Sequence, residues 1–318
     1  MTGFRLELGT WVASFIDFVT DTFGGLFDVI RSVFQAAYEA VDLVLVSPPF
    51  WVVIVIVAAL AYLARGWRFG LGSVVGLLVI VGVDQWENAM DTLALVLVAS
   101  VLAIALSIPL GIWAAKSAIA SRLVRPVLDF MQTMPAFVYL IPALILFRIG
   151  VVPGIVATVI FALAPGVRLT ELGIRGVDKE IVEAGQAFGA SPWRILRQIQ
   201  LPLARPTIMA GVNQVIMLSL SMVVIAGMVG AGGLGAEIVA SLNRIDVALG
   251  FEAGISVVIL DILLDRLTAA FGSGDTVLDR MLGARSARRR SASSASETAS
   301  ESGPAAVPDR ERKDPALV

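Results

Sequence analysis

From Pro206 to Gly230 the chain reads PTIMAGVNQVIMLSLSMVVIAGMVG, 25 residues without a charge. A run of that length matches the hydrocarbon core of a bilayer far better than it matches the interior of a soluble domain. Further apolar stretches lie at about 50–64, 69–84, 89–115, 126–148, 152–170 and 251–271, bounded by Trp, Arg, Gly and Pro. Of the 318 residues, 57% are hydrophobic and 16% are charged, against roughly 45–50% and about 25% in soluble domains. The expected fold is therefore all-α, a polytopic membrane protein of about seven transmembrane helices. The first two runs have apolar cores of about 15 residues, short of the roughly 20 that a span requires. Trp51, Trp67 and Trp86 are accordingly expected at the interfaces.

Basic residues set the orientation, because cytoplasmic loops carry the excess of Lys and Arg. With the C-terminus cytoplasmic, the inner loops hold Arg65, Arg68, Lys116, Arg122, Arg125, Arg175, Lys179, Arg194 and Arg197. The outer segments then hold only Arg5, Arg31, Arg148 and Arg244. Seven spans place the N-terminus outside and the chain in the plasma membrane. Ahead of the spans, Phe4, Leu8, Trp11, Phe15 and Phe18 recur on one helical face. Residues 1–48 thus predict an external segment of helix interrupted at Gly24 and Gly25, either lying in the outer interface or packed on the spans. Residues 273–318, rich in Ser, Ala, Arg and Glu, lack the apolar surface to offset their ordering entropy. They predict a disordered cytoplasmic tail whose Arg285 and Arg288 to Arg290 lie near anionic headgroups.

A net charge of −2 gives no nucleic-acid footprint. The absence of Cys and His removes disulfides, thiolate and imidazole chemistry and the usual zinc sets. No catalytic residue and no metal site is expected. The three lysines, Lys116, Lys179 and Lys313, stand outside any Gly-x-x-x-x-Gly-Lys-Ser/Thr loop. The chain is therefore expected to bind no ATP and no other cofactor.

The insert EAGQAFGASPWRILRQIQLP, residues 183–202, breaks the apolar character. Gly189 ends one helical pattern, and Ser191 and Pro192 supply the N-cap and first position of a second. Leu201-Pro202 is expected to end that second helix. Two short helices joined by a turn, between two spans, make a docking element for a cytoplasmic partner. The spacing is specific: Glu183-Ala184-Gly185, three residues, Gly189, nine residues, then Ile199-Gln200-Leu201-Pro202. This resembles the cytoplasmic loop of ABC importer permeases, with Gly185 where that pattern has a second Ala. The segments 131–154 and 188–235 are similar to permeases of the glycine betaine/proline type, and the likeness extends over about residues 50–272.

The resemblance implies the transmembrane domain of a type I importer. Residues 49–87 would be two accessory helices and 88–272 the permease core, with a coupling loop at about 178–202. Glu183, Ala184, Gly185, Gly189, Ile199, Leu201 and Pro202 would couple to a cassette ATPase present in two copies, which uses the ATP. A second copy of the chain and an extracytoplasmic substrate-binding protein would complete the system. Choline, carnitine and other small amino-acid-like solutes stay open beside glycine betaine and proline.

Polar groups inside spans default to function. Gln132, Thr133, Met134 and Pro135 in the fourth run, and Asn213, Gln214, Ser219 and Ser221 in the sixth, are candidate pathway residues. Packing within the bundle is the alternative for each. Asp129, close behind Pro126, suits a helix N-terminus, and Asp261 sits deep in the last run without a visible partner. Gly230, Gly232, Gly233 and Gly235 suggest an external turn. An ion-coupled secondary transporter is the rival from a different class. It would want paired intramembrane charges and two related halves, and no internal repeat is visible.

Overall fold

The computed structural model of the chain describes residues 7–273, and every described element is helical. The elements are α1 (Leu8–Val46), α2 (Phe50–Arg65), α3 (Trp67–Gly82), α4 (Trp86–Lys116), α5 (Ala118–Thr133), α6 (Ala136–Phe147) and α7 (Val151–Arg175). They continue with α8 (Lys179–Ala187), α9 (Pro192–Ile195), a π-helical turn (Leu196–Gln200), α10 (Leu201–Ser221), α11 (Val223–Gly227), α12 (Gly233–Arg244) and α13 (Val247–Ser273). The sequence expectations for residues 1–6 and for the tail beyond 273 lie outside the described residues.

The polytopic all-helical architecture expected from the sequence is present, with four to six candidate spans among the described residues. Four helices are long and apolar enough to cross a membrane, and up to six if each of two bent pairs counts as one span. α2 and α3 have 16 residues each, which is short of a full crossing. The run at 126–148 is not one helix. It breaks at Met134-Pro135, where α5 and α6 meet at 99°. Pro135 stands just before α6, and the residue ahead of a proline is driven out of the helical region, as Met134 is with φ −72° and ψ 137°.

α1 is two helical segments joined across a kink at Phe23 (φ −116°, ψ 16°), directly before Gly24 and Gly25, where the interruption was expected. Its two halves differ. Phe27, Ile30 and Phe34 pack against Phe147 and Val152, while Trp11, Phe15 and Phe18 are exposed. The first half presents an apolar face outward and the second is part of the bundle.

At the centre, α4 packs on α7 and α7 on α10 through small residues. Gly166 abuts Ser107 and Val215, and Gly211 abuts Leu169. Close backbone approach of this kind replaces the hydrophobic drive that lipid cannot supply between spans. The main core adds Met90 of α4 and Ile155 of α7, with Leu234 of α12 and Leu260 of α13.

Candidate functional site: the polar loop and the broken span

The insert folds as two short helices set against each other. Asp178 caps α8 by accepting from the Glu180 amide at 2.9 Å, and Ser191 caps α9 by accepting from the Arg194 amide at 3.4 Å. Between them Phe188 closes the helix, and Gly189 turns the chain with φ +75°. A side chain at Gly189 would meet no atom within 4 Å. Its requirement is conformational: a left-handed residue costs an L-amino acid roughly 1–2 kcal/mol. Asn tolerates that region and Ala does not. Gly189→Asn is therefore expected to retain nearly full uptake, while Gly189→Ala lowers loop stability by about 1 kcal/mol, measurable as faster amide exchange through residues 184–191.

The motif residues divide by role. A Cβ on Gly185 would come within 2.8 Å of Ile199 Cδ1, and Ile195 lies beyond it. Ile195 and Leu196 are buried, and Ile199 and Leu201 are half-buried. Ile195 and Ile199 hold the two short helices together, while Leu196 and Leu201 pack with Ile174 and Ala204 and hold the loop to α7 and α10. Glu183, Ala184 and Pro202 are exposed. The largest exposed apolar side chains of the loop belong to Phe188, 92% exposed, and Trp193, 67% exposed. Sequence reasoning missed both, because it followed the motif and they occupy its unspecified positions. Their aromatic character within a polar insert was the available signal.

The second helix does not end at Leu201-Pro202. The helical path runs on from Pro192 to Gly227 through the π-turn. The Leu201 amide reaches back to the Leu196 carbonyl, and Pro202 falls in the first turn of α10. A π-turn absorbs the donor that proline lacks, so the loop is mechanically continuous with a membrane-crossing helix. Lys116 at the end of α4 adds a second tie, donating to Gln200 Oε1 at 2.5 Å.

Beside the loop lies a charged cluster that the sequence did not flag. The Glu171 side chain, 6% exposed, accepts from Ser121 Oγ at 2.8 Å and Arg125 Nη2 at 2.9 Å, and pairs with Arg175 Nε at 3.1 Å. Arg175 also donates to the Ala114 carbonyl at 2.8 Å. These bonds join the C-terminal ends of α4 and α7 to the first half of α5. Asp129 sits within α5, not at its start, and pairs with Arg168 of α7.

The candidate pathway residues separate in the same way. Gln132, Thr133 and Pro135 are exposed at the break, and Met134 is half-buried. Gln214 and Ser221 are exposed on α10. Ser219 is fully buried and donates to the Val215 carbonyl at 2.8 Å. Asn213 turns to α13, donating to Asp265 Oδ1 at 2.8 Å and accepting from Thr268 Oγ1 at 2.6 Å. It ties two helices together, as polar groups in lipid commonly do.

A short docking loop rigidly continued into an intramembrane helix, beside a broken span, is the arrangement expected of a permease driven by another protein. Residues 107–274 match the family model for the binding-protein-dependent transport system inner membrane component. The chain belongs to this family. It is 49% identical over 270 residues to the glycine betaine/carnitine transport permease protein GbuB of Listeria monocytogenes, covering 84% of this chain and 95% of that protein. It is 47% identical over 267 residues to the glycine betaine/proline betaine transport system permease protein ProW of Escherichia coli, covering 84% of this chain and 75% of that one. A chain of the MetNI methionine ABC transporter, 21% identical, shares the fold with a TM-score of 0.54 over 58% of this chain and 92% of its own. The protein is thus a non-catalytic, multi-pass inner-membrane component of an ABC importer, and a partner subunit hydrolyses the ATP. An ATPase and a substrate-binding protein are its partners.

Proposed function

We propose that the chain is the permease subunit of an importer for glycine betaine and closely related N-methylated zwitterions. The observation that carries this reading is close similarity over most of the chain to permeases named for glycine betaine. Two copies line the pathway, and each receives one ATPase on its α8–α9 loop. ATP binding draws the ATPases together and moves both loops. The continuous helix from Pro192 through α10 carries that movement into the membrane, and rigid bundles rock between outward- and inward-open states. The C-terminus is cytoplasmic, because that orientation keeps Arg175, Lys179, Arg194 and Arg197 inside. Residues 88–272 form the permease core, and 49–87 are accessory.

The test is reconstitution in proteoliposomes with its cassette ATPase and substrate-binding protein. ATP-dependent accumulation of radiolabelled glycine betaine is expected. Purified permease alone is expected to hydrolyse no ATP. Uptake that proceeds without the ATPase would point to the ion-coupled alternative.

A further inference from the structure

A cavity of about 360 Å³ opens between α5 and α7, lined by Arg125, Asp129, Arg168, Glu171, Leu172 and Arg175. Its volume falls at the low end of the roughly 300–1,000 Å³ typical of small-molecule sites. The charges in it are of two kinds. Glu171 is buried and already satisfied by Ser121, Arg125 and Arg175. The Arg168–Asp129 pair is open, with side chains 41% and 64% exposed. Each of those two ions has room for a further partner, and exposed pairs of this kind contribute little to stability.

The position matters as much as the charge. Asp129 lies one helical turn before Thr133, the last residue of α5, and the break at Met134-Pro135 follows directly. Across that break Tyr139 donates its hydroxyl to the Met131 carbonyl, closing part of the frayed helix end. In the proposed orientation the cavity is on the cytoplasmic side of the break. Interrupted helices near mid-membrane are where transporters place solute sites, because unwinding frees backbone groups and widens the path.

We propose that this cavity is a release-side subsite for a compact zwitterion, with Arg168 holding its carboxylate and Asp129 facing its quaternary ammonium. The proposal rests on the chain being the pathway of a zwitterion importer. The planar guanidinium of Arg168 matches a carboxylate in a two-bond fork. A quaternary ammonium has no N–H to satisfy and asks only for a facing negative charge, which Asp129 supplies. Insertion of the solute exchanges one opposite charge for another at both ions, so neither is left bare. Binding is correspondingly weak, as a site that must discharge into the cytoplasm requires.

Two measurements test this. Saturation-transfer NMR on the permease–ATPase complex in nanodiscs, without binding protein, is expected to show transfer to the methyl protons of glycine betaine. Arg168→Gln and Asp129→Asn should each reduce it about tenfold, the loss of one charge-assisted contact. Choline has the ammonium and no carboxylate. Its weaker transfer should fall with Asp129→Asn and stay with Arg168→Gln, a pattern that a merely structural ion pair would not produce. In proteoliposomes of the full transporter, both variants should also lower maximal uptake. No transfer from the wild-type complex overturns the subsite, as does transfer unaltered in both variants. Wild-type uptake that both variants match also overturns it while leaving the importer reading in place. Wild-type complex that moves no betaine at all overturns both.

Discussion

Phe188→Ser combined with Trp193→Ser is expected to leave the permease folded in the membrane and to abolish ATP-driven uptake. Both side chains stand outside the packed interior of the loop, which is built from Gly185, Ile195 and Ile199. Their removal therefore costs the permease itself almost nothing, since no buried contact of its own is lost. An aromatic exposed at 92% on a turn fixed by a left-handed glycine is poorly placed for water and well placed as an anchor in a partner's pocket. Anchors of this type typically account for at least about 2 kcal/mol each when truncated, so the double change should weaken ATPase binding by roughly three orders of magnitude. Affinity between detergent-purified permease and ATPase, read by surface plasmon resonance, checks it. Glu183→Gln serves as the comparison: an exposed charge at an interface rim shifts affinity by about 1 kcal/mol or less. Binding that survives loss of both aromatics would move the docking surface elsewhere on the loop.

The sequence made α4, α7 and α13 legible to within about five residues, because each carries an apolar stretch long enough to dominate its few charged positions. The break between α5 and α6 was legible only as a kink. Met134-Pro135 announces a departure from helical geometry, but a 99° bend depends on where α6 finds packing. Its Ala143 and Phe147 pack with Phe27 and Ile30 of α1, contacts separated by more than a hundred residues and invisible to local periodicity. Glu171 was hidden for the same reason. At the end of an apolar run it reads as a boundary residue, whereas its partners Ser121 and Arg125 come 50 and 46 positions earlier. The coupling loop was legible as a unit through its spacing, yet the same spacing drew attention to residues that hold the loop together and away from those it displays.

The glycines after the sixth apolar run were also legible only in part, and they carry the largest expected effect on stability. The positive φ of Gly230, Gly232 and Gly233 makes the turn that their spacing suggests. Packing adds a stricter demand. A Cβ on Gly235 would lie 2.1 Å from the Val223 carbonyl oxygen, and one on Gly227 would lie 2.3 Å from the Gly235 carbonyl carbon. Here α11 and α12 touch backbone to backbone, and the Leu234 amide next door is bound to Thr92 Oγ1 at 2.8 Å, fixing the pair to α4. Clashing atoms that belong to backbone cannot swing aside as a side-chain tip would, so one added methyl must push two helices apart. Overpacking in a well-filled core costs typically 1–3 kcal/mol and sometimes more; at a contact this rigid Gly235→Ala should reach or exceed the upper figure, a large fraction of the 5–15 kcal/mol that holds a protein folded. Gly24→Ala makes the opposite case, since a Cβ there meets nothing within 4 Å in the middle of α1, and alanine gains about 1 kcal/mol of helix propensity. Thermal unfolding of the detergent-solubilised permease should thus rank Gly24→Ala at or above wild type and Gly235→Ala far below it. A Gly235→Ala protein that melts with the wild type would mean that α11 and α12 stand further apart than 2.1 Å allows.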